Sequence, residues 1–261
     1  SDPDLVARIM GVTPTELLAQ DIPALVVAQF QERKYPDAMV VPNLFPENNP
    51  LYMPMKGKTA FDIFFSPTLI TGAWDSRWNT KGMPETEKII ADACAKHGAR
   101  YKLVHKTPLE KTLVMKRSSR IVVDEMITGS YHLSGLEGLS QGKPVLSYID
   151  DRARSIMSHF SGTGVCPFIN VRLEDAFAVL DYLLSHPDDA YDIGMEARSF
   201  VKKYWSQENL IKHFEDAYGK LARDPRLIRR QSELRIERPH NRFFASTLHD
   251  LIYASRKSRI P

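Results

Sequence analysis

Ser134, Gly135 and Glu137 fall within a single short stretch, just after a loop of small and polar residues. If a helix begins ahead of them, its first N–H groups lack partners and its dipole turns its positive end outward, which suits a phosphate at Ser134 and Gly135. Glu137 then sits about one turn further in. A carboxylate at that depth accepts hydrogen bonds from a pair of vicinal hydroxyls, as a ribose presents them. Gly129 and Tyr131, in the loop that precedes the helix, would lie beside the same ligand. The spacing also fits a blander arrangement, in which Glu137 is a solvated helix residue and Gly129 only a turn.

The elements that must position these residues are legible around them. Ile121, Val122 and Val123 form an apolar run ending in Asp124 and Glu125, and Val145, Leu146, Tyr148 and Ile149 form a second run after Pro144. Both suit parallel strands buried on two faces. Between them Leu133, Leu136 and Leu139 recur at helical spacing, and Gly142 stops the helix. This is a βαβ unit. The loop from Ile127 to His132 leaves the carboxyl end of its first strand, where open α/β sheets bind ligands.

The rest of the chain repeats that style. Pro3 to Met10 and Pro14 to Lys34 carry helix-like apolar spacing, and Ala38 to Val41 reads as a short strand. Residues 42–58 hold four prolines and three asparagines and read as a linker. Strands are expected at Ala60 to Phe65, Tyr101 to His105 and Phe168 to Val171, with helices at Glu85 to His97, Leu109 to Lys116, Glu174 to Leu184 and Asp188 to Tyr204. Ser206 caps a further helix with Leu210, Ile211, Phe214 and Tyr218 on one face. The expected fold is α/β, a doubly wound parallel sheet with a helical N-terminal segment and a basic C-terminal tail. Its divisions are residues 1–57, 58–222 and 223–261.

Composition narrows the function classes. The chain has 261 residues, 43% of them hydrophobic and 26% charged, enough for a sizeable core. A formal net charge of +3 gives no ground for a nucleic-acid partner. Cys94 and Cys166 stand far apart, without the spacing of a zinc site or a disulfide framework, which fits a reducing, cytoplasmic setting. No apolar run approaches the roughly 18 residues of a membrane span. From Arg223 onward ten Lys or Arg stand against four Asp or Glu. Such a tail lies on the anionic inner face of a membrane, packs across a neighbouring domain, or stays solvated.

The run SYHLSGLEGLSQGKPVLSYID, followed by residues 167–218, resembles the nucleotide-sugar-binding domain of bacterial GT-B fold glycosyltransferases, in particular their retaining members. The resemblance covers roughly residues 61–221. It implies that Glu137 binds the ribose, that Ser134 and Gly135 approach the diphosphate, and that Lys106 lies near the base. Lys81-Gly82, with Arg77, is similar to the pair that neutralises the leaving diphosphate in that family. Two departures stand out. The family's first glutamate, eight positions before Glu137, is Gly129 here, and a usual glycine is His132, which places an imidazole and a proton donor near the sugar. No Asp-x-Asp triplet is present, so neither metal nor other cofactor is expected beyond the donor itself. The implied partners are a nucleotide-sugar donor, a glycan or lipid-linked acceptor, and an N-terminal acceptor domain or partner chain. Residues 1–57 are too few to form that domain, so the chain reads as a fragment or module of a longer enzyme. A non-catalytic scaffold or regulatory module of the same fold is the alternative.

Overall fold

The computed structural model describes residues 6, 9–13, 16–17, 22–27, 31–35, 37–67, 72, 81–235, 239 and 243. Two compact units result, residues 43–211 and a smaller one of residues 1–42 with 212–261.

In the smaller unit β1 (Leu25–Val27) pairs in parallel with β2 (Met39–Val41), Val26 opposite Val40. The helix expected over 14–34 is therefore interrupted by a strand. Pro23 breaks the helical pattern, and Leu25-Val26-Val27 includes two stiff β-branched residues that gain more from pairing with β2 than from a helix. Met39 and Val41 pack with Ala217 and Ile228. Arg230 is buried and donates to Glu32 and to the carbonyl of Tyr35, and Gln231 bridges the backbone of Val40.

The larger unit holds a parallel sheet of β3 (Phe61–Phe65), β4 (Tyr101–Leu103), β5 (Ser119–Val123), β6 (Val145–Ser147) and β7 (Ile169–Asn170), in the order β4-β3-β5-β6-β7. Register pairs Phe64 with Val122 and Val123 with Leu146. Helices α1 (Met83–His97), α2 (Leu109–Arg117), α3 (Leu133–Ser140), α4 (Asp151–Ser161), α5 (Ala176–Ser185) and α6 (Pro187–Tyr204) surround it, and α7 (Gln207–Arg223) passes into the smaller unit from Lys212.

The strands read as unbroken apolar runs because both faces are covered. Ile63, Phe65, Ile121, Val123 and Leu146 pack under Ile90 and Ala93 of α1 and Leu180 and Leu184 of α5. On the other face Val122 meets Gly138 of α3, where a Cβ would stand 3.3 Å from Val122 and 3.0 Å from Val145. Helix α4 is not among the expected elements; Asp150 caps it, its carboxylate accepting from the Ala153 amide at 2.7 Å, and Gly162 closes it. Phe177 of α5 is exposed. Among the described residues no helix is long and apolar enough to cross a membrane.

Candidate ligand site at the carboxyl edge of the sheet

The strand order reverses between β3 and β5, since β4 lies on one side of β3 and all later strands on the other. A crevice opens at such a switch point beyond the carboxyl ends of the strands, where the adjoining connections diverge. Among the described residues, Lys81 and Gly82 lead into α1, the helix that follows β3, and residues 124–132 follow β5, with Asp124 at their start. Lys81 and Asp124 meet, with Lys81 Nζ 2.5 Å from Asp124 Oδ1, both side chains buried.

Asp124 is the hub of the site, a role its place at the end of an apolar run did not reveal. Its other oxygen accepts from the His132 amide at 2.9 Å, and the His132 ring lies 3.9 Å away through Nδ1. Burial pushes the Asp124 carboxyl upward, but the Lys81 ammonium and the His132 imidazole and amide together hold it below its usual value. The same carboxylate abuts α3: a Cβ on Gly135 would stand 2.5 Å from Asp124 Oδ2 and 2.9 Å from the Phe168 ring. Only glycine permits this approach.

Glu125 shapes the loop. Its carboxylate accepts from the amides of Ile127, Thr128 and Ser130 and from the Thr128 hydroxyl, at 2.6 Å for the last. Burial pushes it up to about 7, against the pull of the Thr128 and Ile127 donors. Burial also lowers His132, to about 4, with Asp124 opposing. At neutral pH the imidazole is therefore uncharged. It can hydrogen-bond a ligand but does not stand ready as an imidazolium acid.

These two groups bend the pH dependence of stability in opposite senses. Glu125 keeps its proton in the fold over a range where the unfolded chain has released it, so its contribution is complete below about 4.5 and is lost as pH rises through about 7, on the order of 3 kcal/mol. His132 does the reverse: the unfolded chain binds a proton from about pH 6.5 downward and the fold does not, so stability rises from about pH 4 to 6.5. Its contribution is smaller, because 22% of its side chain is open to water. In urea titrations Glu125→Gln is expected to remove the falling limb and expose the His132 rise. A variant whose profile parallels the parent's between pH 4 and 7 contradicts this assignment.

The other expected residues fall as follows. Glu137 is 3% exposed and its Oε2 is ion-paired with Lys116 Nζ, itself fully buried, which also donates to the Ser134 carbonyl at 2.9 Å and lies over the Phe64 ring at 5.7 Å. Its second oxygen makes no hydrogen bond among the described residues. No side chain caps α3, and the Gly135 amide, expected to face a phosphate, turns back to the His132 carbonyl at 3.0 Å. Ser134 is half-buried at the same helix end. Gly129 has φ +75°, where a side chain is strained, and a Cβ there would meet the Asp150 side chain at 3.0 Å, so a glutamate at this position is disfavoured on both counts. Tyr131 is not at the crevice. Its ring is fully buried, stacked on Phe168 at 5.8 Å and edge-on to Trp205 at 6.1 Å, because the loop that Glu125 folds turns it under the sheet edge. Lys106 stands exposed beyond β4, in a left-handed conformation at φ 49°, two strands from β5. Arg77 lies outside the described residues.

By its own geometry the larger unit is a Rossmann-like α/β domain with a polar site at its topological switch point. No family model and no curated protein matches the chain. Among solved structures it is similar to sucrose-phosphate synthase from Thermosynechococcus elongatus, at 13% identity and a TM-score of 0.48 over 70% of this chain and 52% of that one. It is also similar to S. aureus TarM, as a mutant in complex with fondaparinux, alpha-GlcNAc-glycerol and UDP, at 13% identity and a TM-score of 0.46 over 68% of this chain and 38% of that one. A further TarM structure gives 12% identity and a TM-score of 0.45. The chain thus spans about half the length of that synthase and 38% of TarM. At these scores nothing about this chain's chemistry follows from the likeness.

Proposed function

We propose that the larger unit binds a nucleotide-activated sugar at the carboxyl edge of β5 and serves in transferring that sugar to a cell-surface polysaccharide or glycolipid acceptor. The observation that carries this reading is the convergence of Lys81, Asp124, His132 and the uncapped start of α3 at the switch point of the sheet. A diphosphate entering there meets a helix end and an ammonium it can draw from Asp124, and both stabilise the charge that develops as the glycosidic bond breaks. Lys116 fixes the Glu137 carboxylate by one oxygen, leaving the other for the ribose hydroxyls. His132 contacts the sugar as a neutral hydrogen-bonding group. The donor itself is the only cofactor this chemistry requires. Lys106 and Arg77 stand as further contacts to base and diphosphate, and the acceptor is held by an N-terminal domain or a partner chain. The setting is cytoplasmic, with the basic tail on the inner face of the membrane.

Titration calorimetry with UDP-, GDP-, dTDP-, ADP- and CMP-sugars tests the reading. One donor is expected to bind, and Glu137→Gln, which keeps shape and an acceptor for Lys116, is expected to weaken it about tenfold, the loss of one hydrogen bond to a charged group. Binding of none, or binding indifferent to Glu137, overturns it.

Two observations favour a non-catalytic module: Lys81 and Lys116 are each neutralised by a carboxylate, and Gly129 stands, in backbone that disfavours a side chain, where the resembled family carries its first glutamate. Donor binding without turnover in any form of the protein would select that second reading.

A further inference from the structure

Lys81 and Asp124 form an ion pair in which one partner can move and the other cannot. Asp124 is fully buried and pinned on several sides. Its amide donates to the Leu146 carbonyl of β6 at 2.9 Å, its Oδ2 accepts from the His132 amide at 2.9 Å, and the close approach of Gly135 shuts the side facing α3. Lys81 is fixed at its backbone, where its carbonyl accepts from the Thr86 hydroxyl at 2.8 Å, but its ammonium stands at the end of a flexible four-carbon stem. Among the described residues, the charged or titratable groups that act on Asp124 are Lys81 ahead of α1, His132 ahead of α3, Glu125 next in the chain, and Lys116 of α2, which is already paired with Glu137. Of these, Lys81 alone is a cation in contact with the carboxylate.

A diphosphate at the start of α3 draws the Lys81 ammonium to itself, and Asp124 cannot follow. A carboxylate left in a dry interior without a counter-charge is unstable as an anion, and it relieves this by taking a proton. A route for that proton is present. The His132 ring is open to water over 22% of its side chain and turns Nδ1 toward Asp124 Oδ1 at 3.9 Å. A neutral imidazole accepts a proton at one nitrogen and releases another from the second, so it passes charge inward without keeping it.

From this pairing of a swinging lysine with an immobile buried carboxylate we infer that donor binding is coupled to the uptake of one proton, which passes through His132 and comes to rest on Asp124. The inference rests on the diphosphate site proposed above. On binding, Lys81 leaves Oδ1 and a proton from water takes its place, so the carboxyl becomes neutral. On release of the diphosphate Lys81 returns and the proton goes back to water. Burial presses the Asp124 carboxyl up and Lys81 leads the groups that pull it down, so the departure of Lys81 leaves burial in control. A group that gains a proton on binding makes binding stronger as pH falls. The site therefore holds its ligand in mild acid and loosens it toward alkaline pH.

Calorimetry of the full chain with inorganic pyrophosphate and with the nucleoside diphosphates, in buffers of different ionisation enthalpy, counts the protons taken up. At about pH 6, well above the ordinary value of an aspartate, the parent is expected to take up about one proton more than Asp124→Asn, whose amide does not titrate and whose count cancels the ligand's own protons. Between about pH 5 and 7 the parent's affinity is expected to fall about tenfold per unit relative to that variant. His132→Gln is expected to keep the count and to slow the proton's arrival, followed by a pH indicator in stopped flow. If Asp124→Asn fails to fold, the infrared difference spectrum of the parent decides, since pyrophosphate is expected to bring up the stretch of one protonated carboxyl. Equal counts in parent and variant, a count lost in His132→Gln, or no such stretch would each overturn the inference while the donor reading stands. Binding of none of these ligands defeats both.

Discussion

Lys116→Met is expected to destabilise the protein by roughly 3–5 kcal/mol, a large share of the stability of an ordinary domain. Methionine fills the volume and suits the Phe64 ring, so the loss is not one of packing. It arises because the Glu137 carboxylate, 3% exposed, is left without a cation, and the Ser134 carbonyl without its donor. Burial already presses the Lys116 ammonium below its ordinary value, with Glu137 pulling back, so the pair is held by mutual need. The double variant Lys116→Met/Glu137→Leu removes both charges together and is expected to recover most of the stability. Urea midpoints around this cycle give the coupling. Losses that simply add would show that the pair contributes nothing of its own. If Glu137 holds a ribose, the single variant loses donor binding as well, because nothing then orients the carboxylate.

Asp124→Asn carries the second large effect, about 3 kcal/mol, at the lower end of what breaking a buried pair costs because the amide still accepts from the His132 N–H. Lys81 would then face a neutral group. The variant has a signature that general damage lacks. Asp124 is held below its usual value in the fold, so its contribution is present above the unfolded value near 3.9 and is lost as pH falls through the folded one. That acid limb should vanish in Asp124→Asn. Denaturation followed below pH 4 checks it, and an unchanged acid limb would remove Asp124 from its place at the centre of the site. Freed from Asp124, Lys81 should also bind inorganic pyrophosphate more tightly in the variant, the opposite of what a merely loosened fold would do.

Much of this architecture is written locally. Ile63-Phe64-Phe65 and Ile121-Val122-Val123 announce strands covered on both faces, and Gly98, Gly142 and Ser206 mark helix ends where the structure has them. Two local misreadings have local causes: Leu25 to Val27 kept a helical spacing while its β-branched residues favoured a strand, and α4 was signalled only by its cap Asp150. The site was legible by region and not by role. Asp124 and Glu125 read as the end of a strand, and Tyr131 as a neighbour of the ligand.

What the sequence by itself determined is the order of strands and helices, the loop after β5 and the short helix that follows, because hydrophobic period, caps and glycines act within a few residues. Only the tertiary structure decided which charges meet. Lys81 and Asp124 are 43 positions apart and Lys116 and Glu137 are 21 apart, and each pair exists because the crossings of a parallel sheet bring distant segments to one edge. No local pattern carries that information: burial makes these lysines and carboxylates choose partners, and the fold alone sets which partner is in reach.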